Sequence, residues 1–144
     1  MPAIPGFYWG NSSSLRWGTN EVTGYWTLGA PDTESIYTLF DDTGSPDHTP
    51  DECQGANGDS GGALFAKDGA DWELAGIIWG IANFSGQNPN VSALRGNATI
   101  AADLSFYQDD INAITANPVP EPAVVLQLVA GATITGLMAR RRHS

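Results

Sequence analysis

Short apolar or alternating runs, separated by glycine, proline, asparagine and aspartate, fill most of the chain between residues 6 and 101. Alternation with a period of two places side chains on opposite faces of an extended backbone, and the intervening residues favour turns. The pattern therefore predicts antiparallel β structure. The candidate strands are residues 24–28, 35–40, 62–66, 72–79 and 98–101.

One amphipathic helical pattern follows these strands. Its apolar residues recur at spacings of three, four and three: Leu104, Tyr107, Ile111 and Ile114. Ser105 and Gln108 form a capping-box pattern at its start. The spacing predicts a helix as the last element of the folded part of the chain.

Length and charge restrict the functional classes. The 144 residues leave room for one domain and an appendage. Residues 1–118 carry fifteen acidic side chains against Arg16, Lys67 and Arg95, a net charge of −12 that repels nucleic-acid phosphates. Cys53 has no partner for an intrachain disulfide, and no Cys/His cluster has zinc-ligand spacing. We expect no nucleic-acid partner, no metal and no cofactor.

Residues 118–144 differ in composition from everything before them. They contain the motif Val119-Pro120-Glu121-Pro122, an uncharged apolar run over residues 123–139, and three arginines at 140–142. The apolar run has 17 residues, the short limit of roughly 17 to 25 for a membrane-spanning helix, and the basic end fits a cytoplasmic stop. The alternatives are an ordinary tail anchor and a buried hydrophobic helix.

These three parts, in this order at the C-terminus, resemble the bacterial PEP-CTERM sorting signal. The resemblance implies export, contact with the membrane through residues 123–139, and recognition by a membrane sorting enzyme. Cleavage near the motif would follow, leaving the protein anchored or at the cell surface. Export requires a signal peptide, yet residues 1–8 contain neither a basic n-region nor an apolar h-region. We therefore expect sequence to precede Met1 in the natural product.

The sharpest chemical motif is Gly58-Asp59-Ser60-Gly61-Gly62. Glycines on both sides of a serine allow a tight turn that projects the hydroxyl outward. The backbone N–H groups of Gly58 and Ser60 can then converge on one point, as in an oxyanion hole. The alternative is a simple turn in which Asp59 and Ser60 bind local backbone groups.

The order of elements around this motif, from residue 6 to residue 116, resembles the second β-barrel of the chymotrypsin/trypsin-like serine proteases. The resemblance implies an all-β fold: one antiparallel barrel, the second of the family's two, closed by a helix over residues 103–115 and followed by a single hydrophobic tail helix. Residues 1–117 would form this protease part, and residues 118–144 the sorting signal.

The resemblance also implies roles for individual residues. Ser60 would be the nucleophile, with the Gly58 and Ser60 N–H groups as the oxyanion hole and Asp59 as a buried acid that organises the loop. The run 74–80 is similar to the family's substrate-lining strand, with Trp79 and Gly80 on the pocket wall. Gln54, six residues before Ser60, would lie at the pocket floor, where a neutral side chain argues against arginine or lysine specificity.

Two members of the family's catalytic triad have no counterpart here. A serine hydroxyl needs an adjacent base that a third group orients. The two histidines are His48, interpreted as a solvated loop residue, and His143 in the basic tail. Only 59 residues precede Ser60, too few for a first barrel, so the chain is expected to be a fragment that is inactive or nearly so alone.

The sequence thus predicts the C-terminal part of an exported serine endopeptidase that hydrolyses polypeptide substrates through an acyl-enzyme on Ser60. A non-catalytic surface protein, with a protease-like body serving as a binding or scaffold module, is the rival hypothesis. A sugar-binding aromatic patch over residues 9–22 is a weaker interpretation than a structural role for that segment.

Overall fold

A computed structural model describes residues 6–10, 14–29, 32–90 and 92–116. The chain divides after residue 108 into two compact units. Among these residues the first unit contains seven strands: β1 (Gly6–Tyr8), β2 (Val22–Leu28), β3 (Thr33–Leu39), β4 (Ala63–Asp68), β5 (Asp71–Ala82), β6 (Ser92–Leu94) and β7 (Ala98–Asp103). Each of the five predicted strands lies on or overlaps one of these. The second unit contains most of the helix α1 (Gln108–Thr115).

The strands form two antiparallel sheets. Five of them pair in the order β2-β3-β7-β5-β4, and β1 pairs with β6 in a separate ribbon. Two adjacent inner strands, β3 and β7, carry most of the core, and we call them the central strands. Its buried apolar side chains are Ile36, Phe40, Ala93, Ala98, Ile100 and Ala101.

The ribbon packs on this core through Phe7, whose ring centroid lies 5.4 Å from that of Phe40. The guanidinium of Arg95 lies over both rings, 4.0 Å from the Phe40 centroid and 5.6 Å from that of Phe7. Cation–π contact and apolar burial therefore stabilise the same junction.

The expected fold class is wrong. Among the described strands the sheet is open, with β2 and β4 as unpaired edges, whereas a closed barrel requires every edge to be paired. The closed barrel was implied by the resemblance to the protease family, and alternation within single strands carries no information on whether distant edges meet.

The helix that was expected over residues 103–115 is shorter in the structure, where it spans Gln108–Thr115. Asp103 ends β7, and its carboxylate accepts hydrogen bonds from the Ser105 N–H (2.9 Å) and hydroxyl (2.6 Å). Ser105 is therefore engaged in a turn before the helix and does not cap it. α1 begins at Gln108 and contains no buried residue.

The expected tail helix over residues 123–139 lies outside the described residues. Within the ranges that the structure describes, no helix is both long and apolar enough to cross a bilayer.

Candidate functional site

The loop over residues 54–62 is hydrogen-bonded at both ends to the five-stranded sheet. At its start, the Gly55 N–H donates to Thr99 Oγ1 (2.8 Å) on β7. At its end, the Gly61 N–H donates to the Ile78 carbonyl (2.7 Å), and the Ile78 N–H donates to the Gly62 carbonyl (2.8 Å). The loop that carries Ser60 is thus held against β5 beside Trp79.

Glycine is required in this loop for conformational reasons. Gly58 and Gly61 have φ angles of +102° and +88°, a region that L side chains rarely adopt. A Cβ atom at either position would meet nothing within 4 Å, so space is not the constraint. The glycine spacing of the motif therefore encodes the backbone turn on either side of Ser60.

Asp59 organises the loop through its neighbour Ala56. The Asp59 N–H donates to the Ala56 carbonyl (3.1 Å), and the Ala56 N–H donates to Asp59 Oδ2 (2.8 Å). This reciprocal pair closes the turn before the serine. Asp59 is exposed here, whereas the resemblance implies a buried acid once a partner cation is in place, and its carboxylate orders the loop.

The backbone N–H groups of the motif divide into two sets. Those of Asp59, Gly61 and Gly62 all donate to backbone carbonyls. Those of Gly58 and Ser60 have no hydrogen-bond acceptor among the described residues. The two unengaged donors are those that the sequence predicts for the oxyanion hole.

A small, open pocket of about 100 Å³ adjoins the serine. Its walls come from the loop and from β5, and they include Gly58, Ser60, Trp79 and Gly80. The remaining lining residues are Ala56, Asn57, Ile78 and Ile81, so no charged side chain lines it. The structure therefore brings four of the predicted site residues to one pocket.

Gln54 does not line this pocket. Its Nε2 donates to the Ala98 carbonyl (3.0 Å), while its Oε1 is buried without a hydrogen-bond partner among the described residues. The assignment of Gln54 as a specificity residue stays a prediction. The motif Val119-Pro120-Glu121-Pro122 lies outside the described residues.

His48 is placed with Glu52. Its side chain is 20% exposed, and Nδ1 lies 3.7 Å from Glu52 Oε2, so its interpretation as a solvated residue is wrong. Glu52 also accepts hydrogen bonds from the Thr49 N–H and hydroxyl and from the Asp41 N–H. His48 therefore belongs to a network that orders the preceding loop, and it does not line the Ser60 pocket.

Cys53 follows this network. Partial desolvation of the thiol raises its pKa, and the neighbouring Glu52 carboxylate raises it further. A raised pKa reduces the thiolate fraction at neutral pH, which is unfavourable for a nucleophile. Cys53 is therefore a poor candidate for covalent chemistry.

Two contacts that support the pocket were not anticipated from the sequence. The Asn57 side-chain amide donates to Asn90 Oδ1, joining the serine loop to the loop after β5. The Trp79 indole N–H donates to Ser35 Oγ (3.1 Å), and Ser35 is 1% exposed. The partners are 33 and 44 residues apart, and no local pattern marks either pair.

No protein-family model, curated protein or solved structure matches this chain.

Proposed function

We propose that this chain carries the nucleophile and the oxyanion hole of a serine endopeptidase related to the chymotrypsin/trypsin-like family by its Gly58–Gly62 motif. The observation that supports the proposal most is the pair of unengaged N–H groups of Gly58 and Ser60 beside the exposed serine. In acyl-transfer sites, backbone N–H groups of this kind stabilise the negative charge that develops on the oxyanion.

In the proposed reaction, Ser60 Oγ attacks the carbonyl carbon of a peptide bond. The oxyanion that forms accepts hydrogen bonds from the Gly58 and Ser60 N–H groups, the C–N bond breaks, and an acyl-enzyme remains. Water then hydrolyses the ester and restores Ser60. The proton of Ser60 Oγ must pass to a general base and then to the departing amine.

The described residues bring no histidine or carboxylate into the pocket as this base. The base must therefore come from elsewhere, and this chain should acylate slowly without it. The uncharged walls at Ile78, Trp79 and Gly80 suit a neutral segment of a polypeptide substrate.

The test supplies the missing base from solution. Serine phosphonylation by a fluorophosphonate forms an O–P bond, releases fluoride and requires deprotonation of the hydroxyl. We expect labelling of Ser60 to be slow in plain buffer and to rise in proportion to added imidazole, as measured by mass spectrometry of the modified peptide. Ser60→Ala should abolish it.

The matched control is Ser85→Ala, which removes an exposed turn serine outside the pocket. It should leave both the label and the imidazole dependence unchanged. Equal labelling of Ser60 and Ser85 would mean that the pocket does not activate Ser60, and the proposal would be wrong.

The rival function is that of a non-catalytic surface binding or scaffold protein. It is favoured by the lack of a histidine or carboxylate in the lining of the described pocket. An imidazole-independent, background rate of labelling at Ser60 would support this rival.

We also propose that the protein is exported and that residues 118–144 act as its sorting segment. Their support is compositional: the motif at residues 119–122, the apolar run 123–139 and the terminal arginines. A membrane sorting enzyme would recognise Val119-Pro120-Glu121-Pro122. Mass spectrometry of the protein isolated from its native cell should show cleavage near this motif, and retention of residue 144 would contradict processing.

A further inference from the structure

The β4–β5 hairpin extends beyond the rest of the sheet. β4 pairs with β5 from Ala63 to Asp68, but β7 pairs with β5 only from Gly76 onward. Residues 65–74 therefore form a two-stranded projection, and every one of them is exposed. We call this segment the projecting hairpin.

The two faces of the projecting hairpin differ in chemistry. Directly paired residues share a face, and alternate residues along a strand share a face. The pairs Phe65–Leu74 and Lys67–Trp72 therefore lie on one side. The other side carries Ala66, Glu73, Asp68 and Asp71. Aromatic and aliphatic groups with a lysine are thus separated from three carboxylates.

Trp17 enlarges the apolar side. Its ring centroid lies 6.0 Å from that of Phe65, and the residue is 71% exposed. Trp72 is 63% exposed, and the Lys67 ammonium lies 6.0 Å from its ring centroid. We call Trp17, Phe65, Lys67, Trp72 and Leu74 the aromatic face.

The positively charged side chains of the described residues are few, and one of them lies on the aromatic face. The described residues include three lysine and arginine side chains, and Arg95 is engaged between Phe7 and Phe40. The other two are Lys67, on the aromatic face, and Arg16, the exposed chain neighbour of Trp17. Of the two described cations that do not contact Phe7 and Phe40, Lys67 therefore lies on the aromatic face and Arg16 adjoins it along the chain.

We propose that the aromatic face docks on the surface of an anionic lipid bilayer. Tryptophan prefers the headgroup region, and lysine and arginine attract anionic headgroups. The carboxylates of the opposite side would face water, as in amphipathic elements that lie on membranes. The strongly acidic body would be repelled in other orientations, so the charge separation also orients the protein. This proposal is independent of the peptidase activity.

The location of the tryptophans makes the test specific. All five tryptophans lie before residue 80, and residues 117–144 contain none. Quenching of tryptophan fluorescence by brominated acyl chains therefore reports contact by the body, even when residues 123–139 also bind lipid. The experiment uses the full chain with vesicles of equal parts phosphatidylglycerol and phosphatidylcholine, brominated or not.

We expect quenching of the unmodified chain and its loss in the double variant Trp17→Phe, Trp72→Phe. The matched control is Trp26→Phe, which removes a half-exposed tryptophan on β2 and should not lower the quenched fraction. Lys67→Glu should reduce quenching, while Asp68→Asn on the opposite side should not. Higher salt should also reduce quenching, because it screens the headgroup charge.

Three outcomes would overturn the proposal. They are vesicle binding without quenching, quenching that survives the double variant, and a failure to bind these vesicles. The last outcome would favour an acidic protein partner for the aromatic face. Circular dichroism of each variant verifies that the exposed substitutions leave the fold intact.

Discussion

The central strands and the projecting hairpin belong to one sheet but have opposite environments. Residues 33–40 and 97–103, the central segments, are mostly buried on both sides of the sheet, whereas residues 65–74 are exposed on both sides. Both contain aromatic residues, yet only the central ones are covered. The difference indicates that stability resides in the centre and that the apolar surface of the hairpin is available for binding.

The substitution Phe40→Ala is expected to lower the stability of the fold most. Phe40 is 1% exposed and contacts Phe7 and Arg95, so its removal leaves a cavity at the junction of the two sheets. We expect a loss of about 3 to 5 kcal/mol in the free energy of unfolding, measured with urea. Phe65→Ala, in the projecting hairpin, should cost less than about 1 kcal/mol. Equal costs would remove the distinction between the two regions.

A smaller effect is expected from Asn97→Ala. Asn97 is 1% exposed; its Oδ1 accepts from the Leu94 N–H (2.8 Å) and from Gln87 Nε2 (2.7 Å). Its loss leaves these donors unpaired in the interior, at a cost of about 1 to 3 kcal/mol in urea unfolding. The control Asn88→Ala removes an exposed amide that accepts from the Asn90 N–H, and it should change stability by less than about 0.5 kcal/mol. A similar cost for both would show that burial does not decide the effect.

The smallest expected effect on stability is that of removing the hydrogen bond between Ser35 on β3 and Trp79 at the pocket. Ser35→Ala removes the acceptor of the Trp79 indole N–H, and we expect it to cost about 1 kcal/mol. A double-mutant cycle with Trp79→Phe isolates this bond, and the two substitutions should be non-additive by a similar amount. Additive costs would show that Trp79 is positioned without Ser35.

Much of the β structure was predictable because alternation is local. The five longer strands were visible in the sequence, whereas β1 and β6 have three residues each, too few for a period to be recognised. The open sheet was not predictable, since whether β2 and β4 pair depends on contacts between distant residues. The helix was predicted too long because the pattern of Leu104 and Tyr107 was taken as helical; these residues form a turn after β7.

In the candidate site, too, local features were predictable and contacts between distant residues were not. The glycine positions around Ser60 predicted the tight turn, because positive φ angles follow from local residue choice. The contacts of Trp79 with Ser35 and of Asn57 with Asn90 join separate strands and loops. The sequence assigned His48 to the loop and not to the catalytic base, but it gave no signal that the imidazole would lie beside Glu52.

The two edges of the five-stranded sheet also differ in their capacity for self-association. β4 carries Lys67 and Asp68 on its outer half, and charged side chains hinder the addition of another strand. β2 has seven residues without a charged side chain, and its outer backbone groups have no partner strand among those described. At high concentration, aggregation should therefore begin at β2. A single charged substitution on this strand should raise the solubility of the protein.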